Sequence, residues 1–155
     1  MEKIVNLLKK YNLTLSCAES LTGGSFASTV TNIPGASSIF KGGIVSYTNE
    51  IKANVLNVKQ DTLDTFGAVS KQCCYEMAQN IKTIFNSDIG VSFTGNAGPS
   101  ASENKPVGLV YVGISYLDKI DVFELHLKGD RISIKNQCIL YAISKIYDII
   151  IKDFE

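Results

Sequence analysis

The sequence predicts an α/β fold built on a mixed sheet, and three observations carry that prediction. Short β-branched and apolar runs alternate with segments whose apolar residues recur at helical spacing, as strands joined by helices do. The run Ala18-Glu19-Ser20-Leu21-Thr22-Gly23-Gly24 is a strand-to-helix turn containing a serine and two glycines. Two late strand-like runs are separated only by Leu117-Asp118-Lys119 and read as a β-hairpin, which makes the sheet mixed rather than wholly parallel.

Taken in order, Ile4, Val5, Leu7, Leu8 and Tyr11 fall at helical spacing, and the residues from Tyr11 to Cys17 read as the first strand. The serine turn follows, then a helix over Ser25 to Thr31, stopped by Asn32-Ile33-Pro34-Gly35. Gly42 to Tyr47 reads as a second strand and Asn49 to Val55 as a short helix carrying Lys52, with Glu50 suited to its positive dipole end. A short helix over Gln60 to Phe66 precedes a longer one capped by Ser70, whose stripe of Cys74, Met77, Ala78, Ile81, Ile84 and Phe85 marks a core face. Asp88 to Thr94 is a buried strand, and Gly95 to Lys105 is a loop rich in Gly, Pro, Ser and Asn. The hairpin strands run over Val107 to Tyr116 and Ile120 to Leu127, with Phe123, Leu125 and Leu127 facing one way. Asp130 begins a long helix lined by Ile134, Cys138, Ala142, Ile143, Ile146 and Ile150.

The whole chain of 155 residues is expected to form one domain, 1–155, because it has no repeat, linker or low-complexity tail. Its 15 basic and 15 acidic residues are interspersed, so it lacks the one-signed field of a nucleic-acid or anionic-membrane binder. No apolar run approaches the roughly 20 residues needed to span a bilayer, and the start has no leader pattern, so a cytoplasmic location is expected. Cys17, Cys73, Cys74 and Cys138 lack metal-ligand spacing and read as buried thiols, and no metal or cofactor is expected.

The serine turn is the chemical signal. A serine at a strand's carboxyl edge sits where open α/β sheets bind ligands, and unpaired N–H groups of Thr22, Gly23 and Gly24 would meet developing negative charge. A plainer reading stands beside it, in which Ser20 or Thr22 caps a helix and the glycines turn the chain. Alternation along the strand points Glu19 away from Ser20, toward a structural role. His126, the one histidine, belongs to the polar face of a strand.

Four motifs occur in order: the serine turn, Gly43-Ile44-Val45-Ser46-Tyr47-Thr48-Asn49-Glu50-Ile51-Lys52, Gly67-Ala68-Val69-Ser70, and Thr94-Gly95-Asn96-Ala97-Gly98-Pro99 with Lys105-Pro106-Val107-Gly108. Together they resemble the CinA C-terminal domain family, over nearly the whole chain. That resemblance implies a three-layer α/β/α sandwich around a mixed, mostly parallel sheet, in a stand-alone form that is a homo-oligomer. It implies metal-independent hydrolysis of the carboxamide of nicotinamide mononucleotide to nicotinate mononucleotide and ammonia, by a serine–lysine pair matched here by Ser20 and Lys52.

A lysine acts as base only when neutral, so its pKa must fall from about 10.4 toward about 7 to 8 by burial or a neighbouring cation. Lys52 is therefore expected to be buried; the residue pattern alone favours a solvated lysine on a short polar helix, and the family resemblance reverses that reading. Tyr47 is a third candidate catalytic residue, either bonding Ser20 or Lys52 or stacking on the pyridinium, and otherwise a core tyrosine. Substrate contacts are expected from Thr22, Gly23 and Gly24, from Thr94, Gly95, Ala97 and Gly98 through successive N–H groups, and from Arg131. The chain departs from the family pattern at Asn96, where an aliphatic residue is usual. It departs again at Ser100 to Asn104, where glycines are usual, and at Lys135, where a second arginine is frequent. The alternative function is a non-catalytic nucleotide-sensing or partner-binding domain tied to competence or DNA damage.

Overall fold

The computed structural model describes residues 1–155. Helix α1 (Glu2–Lys10) leads into β1 (Leu15–Glu19), α2 (Ser25–Thr31), a 3-10 turn (Ala36–Ser38) and β2 (Phe40–Val45). Helices α3 (Asn49–Asn54), α4 (Gln60–Phe66) and α5 (Lys71–Phe85) come next, then β3 (Ile89–Gly95), β4 (Leu109–Tyr116), β5 (Lys119–His126) and α6 (Arg131–Phe154).

The five strands form one sheet in the order β2-β1-β3-β4-β5. β1 pairs in parallel with both β2 and β3, whereas β3–β4 and β4–β5 are antiparallel, so only β4 runs against the other four. The expected hairpin and mixed sheet are both present.

Alternation along the strands builds two cores, one on each face. Leu15 and Cys17 on β1, with Ile89, Val91 and Phe93 on β3, pack against Ile4, Val5 and Leu8 of α1, Phe26 and Val30 of α2, and Ile134, Cys138, Ala142 and Ile146 of α6. Ala18 faces the other way, into a smaller core with Leu56, Val58, Leu63, Ala68, Cys73, Met77 and Ile81. Two helical layers therefore sandwich the sheet. All four cysteines are free and buried.

Helix ends follow their local signals. Ser70 caps α5 by accepting from the Cys73 N–H, Asp130 caps α6 by accepting from Ser133, and Thr48 caps α3 by accepting from Ile51. No helix is long and apolar enough to cross a membrane.

Three expectations need correction. The first strand spans Leu15–Glu19 rather than Tyr11 to Cys17, because Tyr11 to Leu13 close α1: Asn12 takes a left-handed φ of 54° and Leu13 donates to the Leu8 carbonyl at 2.9 Å. The second strand begins at Phe40 and ends at Val45, pairing Phe40 with Leu15 and Val45 with Glu19, and this leaves Ser46 and Tyr47 to turn toward α3. Ile84 stays exposed on α5, because the smaller core reaches Ile81 and the partly buried Phe85 but does not extend to its flank.

Candidate active site

The parallel strands β2, β1 and β3 end on the same edge, and each hands over there to a loop: Ser46–Tyr47 after β2, Ser20–Leu21 after β1, and Asn96–Gly98 after β3. A cleft of about 440 Å³ opens between these loops, in the position where open α/β sheets bind ligands.

Consecutive residues of the first loop face opposite sides. Glu19, only 1% exposed, turns toward the larger core, where its carboxylate accepts the Phe26 N–H at 2.8 Å and the Ala27 N–H at 3.1 Å. Ser20 turns into the cleft. Gly23 and Gly24 complete the reversal with φ of 59° and 99°, values that glycine adopts without steric cost.

Lys52 arrives from the fourth position of α3, and its side chain runs inward until the residue is 1% exposed. Its Nζ lies 2.9 Å from Ser20 Oγ, 2.7 Å from the Ser46 carbonyl and 3.4 Å from the Tyr47 carbonyl. Burial, opposed by the weaker influence of Cys73 and Glu103, lowers its pKa below the ordinary lysine value. The amine has no carboxylate within salt-bridge reach. The expected juxtaposition of Ser20 with a buried Lys52 is thus present.

Of the other anticipated residues, Tyr47, Thr94, Gly95, Ala97, Gly98 and Arg131 line the same cleft. The Tyr47 side chain makes no direct bond to the pair: it is 58% exposed and its hydroxyl accepts from Arg131 Nη2 at 3.0 Å. Arg131 also donates to the Gly98 carbonyl, so the guanidinium joins the Tyr47 loop to the Gly98 loop. Thr94 donates to the Ala68 carbonyl at 2.7 Å. In the loop after β3, the Asn96 N–H is held by the Leu109 carbonyl at 2.9 Å, which leaves Ala97 and Gly98 as the free donors.

Thr22, Gly23 and Gly24 do not line the cleft. The Gly23 N–H is bonded to the Ser20 carbonyl at 3.0 Å, Thr22 is fully buried, and the amide end of α2 is already met by Glu19. The donor beside the serine is instead Leu21, which lines the cleft and whose N–H has no acceptor within the chain.

Further lining residues that were not anticipated as site residues include Asn49, Ala68, Val69, Ser100, Ser102 and Glu103. Glu103, the one carboxylate of the cleft, accepts from the Ala68 N–H at 2.7 Å and the Val69 N–H at 3.1 Å. Its position was legible only as a charge inside a polar loop facing the Gly67-Ala68-Val69-Ser70 motif. Asn96, which departs from the family pattern, holds that loop: its amide donates to the Ser102 and Lys105 carbonyls at 3.2 and 3.1 Å and accepts from Ser102 Oγ at 2.7 Å. His126 sits on the exposed face of β5 against Glu124, outside the cleft.

The sequence pattern of the CinA C-terminal domain matches residues 1–150. The chain belongs to the CinA C-terminal domain family. It is 49% identical over 147 residues to a protein of Bacillus thuringiensis (strain Al Hakam) provisionally named competence-damage inducible, covering 94% of this chain and 36% of that one. It therefore spans about a third of the length of the curated relatives it matches. Among solved structures, a CinA superfamily protein of Klebsiella pneumoniae 700603 superposes with a TM-score of 0.95 at 28% identity, over 97% of this chain and 95% of that one. A competence/damage inducible protein of Agrobacterium tumefaciens gives a TM-score of 0.91 at 34% identity, over 94% and 90%. The CinA fold and the sandwich read from the sequence are the same architecture.

Proposed function

We propose that this CinA domain is an amidohydrolase that converts nicotinamide mononucleotide to nicotinate mononucleotide and ammonia, with Ser20 as nucleophile and Lys52 as its base. One observation carries the reading: a buried lysine amine 2.9 Å from a serine hydroxyl at the floor of a cleft.

The surroundings of Nζ favour this chemistry. A neutral amine has two N–H donors and one lone pair, and the Ser46 and Tyr47 carbonyls can only accept. They take the two N–H groups, and the lone pair faces the Ser20 hydroxyl. As Oγ attacks the carboxamide carbon, its proton passes to Nζ, a transfer that activates a nucleophile otherwise too weak. The Leu21 N–H supports the oxyanion. Lys52 returns the proton to the amide nitrogen, ammonia leaves, and a water activated by the same amine hydrolyses the Ser20 ester. Arg131 and the Ala97 and Gly98 N–H groups supply the phosphate end, and the reaction draws on no metal or cofactor.

Ammonia release from nicotinamide mononucleotide by purified protein in the presence of a chelator tests the proposal. Turnover supports the hydrolase. Nucleotide binding without any ammonia would replace it with the sensing function.

A further inference from the structure

We propose that Glu103 is a positioning residue of this site, pinning the Ala68–Val69 wall of the cleft and supplying the one negative charge that Lys52 faces; its effect on turnover rests on the hydrolase reading above. Glu103 and Lys52 line the same cleft from different elements.

The bracing is unusually complete for a loop residue. Oε1 accepts the Ala68 N–H and Oε2 the Val69 N–H, while Thr94 Oγ1 fixes the Ala68 carbonyl from the end of β3. Lys105 closes the arrangement, its Nζ bonding the Phe66 and Val69 carbonyls and lying 3.1 Å from Glu103 Oε2. Asn96 anchors the chain on both sides of Glu103, at Ser102 and Lys105. Glu103 and Asn104 hold φ of 58° and 55°, a region non-glycine residues occupy only when their surroundings impose it. Across the contact, Gly67 (φ +81°) faces the Glu103 carboxylate so closely that Oε2 occupies the space a Cβ would need.

Lys52 Nζ bonds the Ser20 hydroxyl and the Ser46 and Tyr47 carbonyls, while the Cys73 thiol of α5 and the Glu103 carboxylate act on it from beyond salt-bridge reach and Arg131 enters the cleft from α6. Burial pushes the Cys73 thiol up to about 12, leaving it neutral, and Arg131 is engaged by Gly98 and Tyr47. Glu103 is therefore the charge that favours a protonated Lys52, and Lys105 is the cation that offsets Glu103.

Two variants separate this role from simple bracing. Glu103→Gln removes the charge and makes Lys52 easier to deprotonate; Lys105→Met leaves Glu103 uncompensated and makes it harder. Both loosen the wall and lower plateau kcat/KM by roughly tenfold to a hundredfold. The readouts are the Lys52 titration, followed by NMR of lysine 13Cε and assigned with Lys52→Arg, and the acid limb of the ammonia-release profile, with circular dichroism confirming the fold. The proposal predicts midpoints displaced in opposite directions, down for Glu103→Gln and up for Lys105→Met. Midpoints unmoved, or moved the same way, overturn it even if wild type turns over. Opposite displacement in a protein that releases no ammonia upholds it and removes the hydrolase reading. If Glu103→Gln does not fold, the Lys105→Met midpoint alone decides.

Discussion

Glu19 and Ser20 are neighbours in sequence whose side chains serve opposite faces of the sheet: one carboxylate closes the first turn of α2, and one hydroxyl meets Lys52 32 residues away. The alternation of a strand thus places a structural anchor and a candidate nucleophile on adjacent positions. Glu19→Gln keeps the shape but forces an amide donor against a backbone N–H. It is expected to lower stability by about 1–3 kcal/mol in urea denaturation, because a buried donor loses its acceptor. Wild-type stability in this variant contradicts the role assigned to Glu19.

The lowered proton affinity of Lys52 has a consequence for stability that is independent of substrate. Between its depressed folded pKa and the ordinary value of 10.5, the unfolded chain holds a proton that the folded chain has released. Stability from this group therefore rises with pH across that window and is complete only above 10.5. Relative to Lys52→Met, wild type is expected to gain stability as the pH rises toward 10.5 in parallel denaturation series. A difference that stays flat or falls means that the buried amine keeps its proton.

Arg131 joins Tyr47 to Gly98 across the cleft mouth. Lysine cannot reproduce a forked contact, so Arg131→Lys is expected to raise KM by about tenfold with little change in kcat. Tyr47→Phe removes one hydrogen bond and should change kcat by no more than about threefold. A loss of roughly a hundredfold in kcat for Tyr47→Phe would instead put its hydroxyl in the reaction itself.

Asn96→Ala removes every side-chain tie between β3's end and the Ser102–Lys105 segment. The expected cost is about 1–3 kcal/mol, accompanied by faster amide exchange at residues 102–105. Unchanged exchange there shows that the loop is held by other contacts.

Features written into contiguous residues were legible in advance. Ser70 and Asp130 announced their helices because capping depends on a donor three residues on, and the Leu117 turn declared the hairpin. The Ser20–Lys52 pair was legible through motif resemblance rather than periodicity, since Lys52 sits on a helix too short to display a buried face. What escaped depends on distant contacts. Glu103 meets Ala68 35 positions away, and no local pattern separates that carboxylate from a solvated one. Thr22, Gly23 and Gly24 were expected at the ligand because their own N–H groups, ahead of the helix, looked unpaired. Instead the Gly23 N–H turns back to the Ser20 carbonyl, and Glu19 reaches seven and eight residues forward to the Phe26 and Ala27 amides.

The central claim is that a neutral lysine deprotonates an adjacent serine. Its most direct test is the rate of ammonia release from nicotinamide mononucleotide by wild type, Ser20→Ala and Lys52→Arg, each confirmed folded, since arginine keeps a long polar side chain but stays protonated and cannot accept the proton. A fall of roughly a thousandfold or more in both variants is predicted. Release at near wild-type rates by either one contradicts the mechanism.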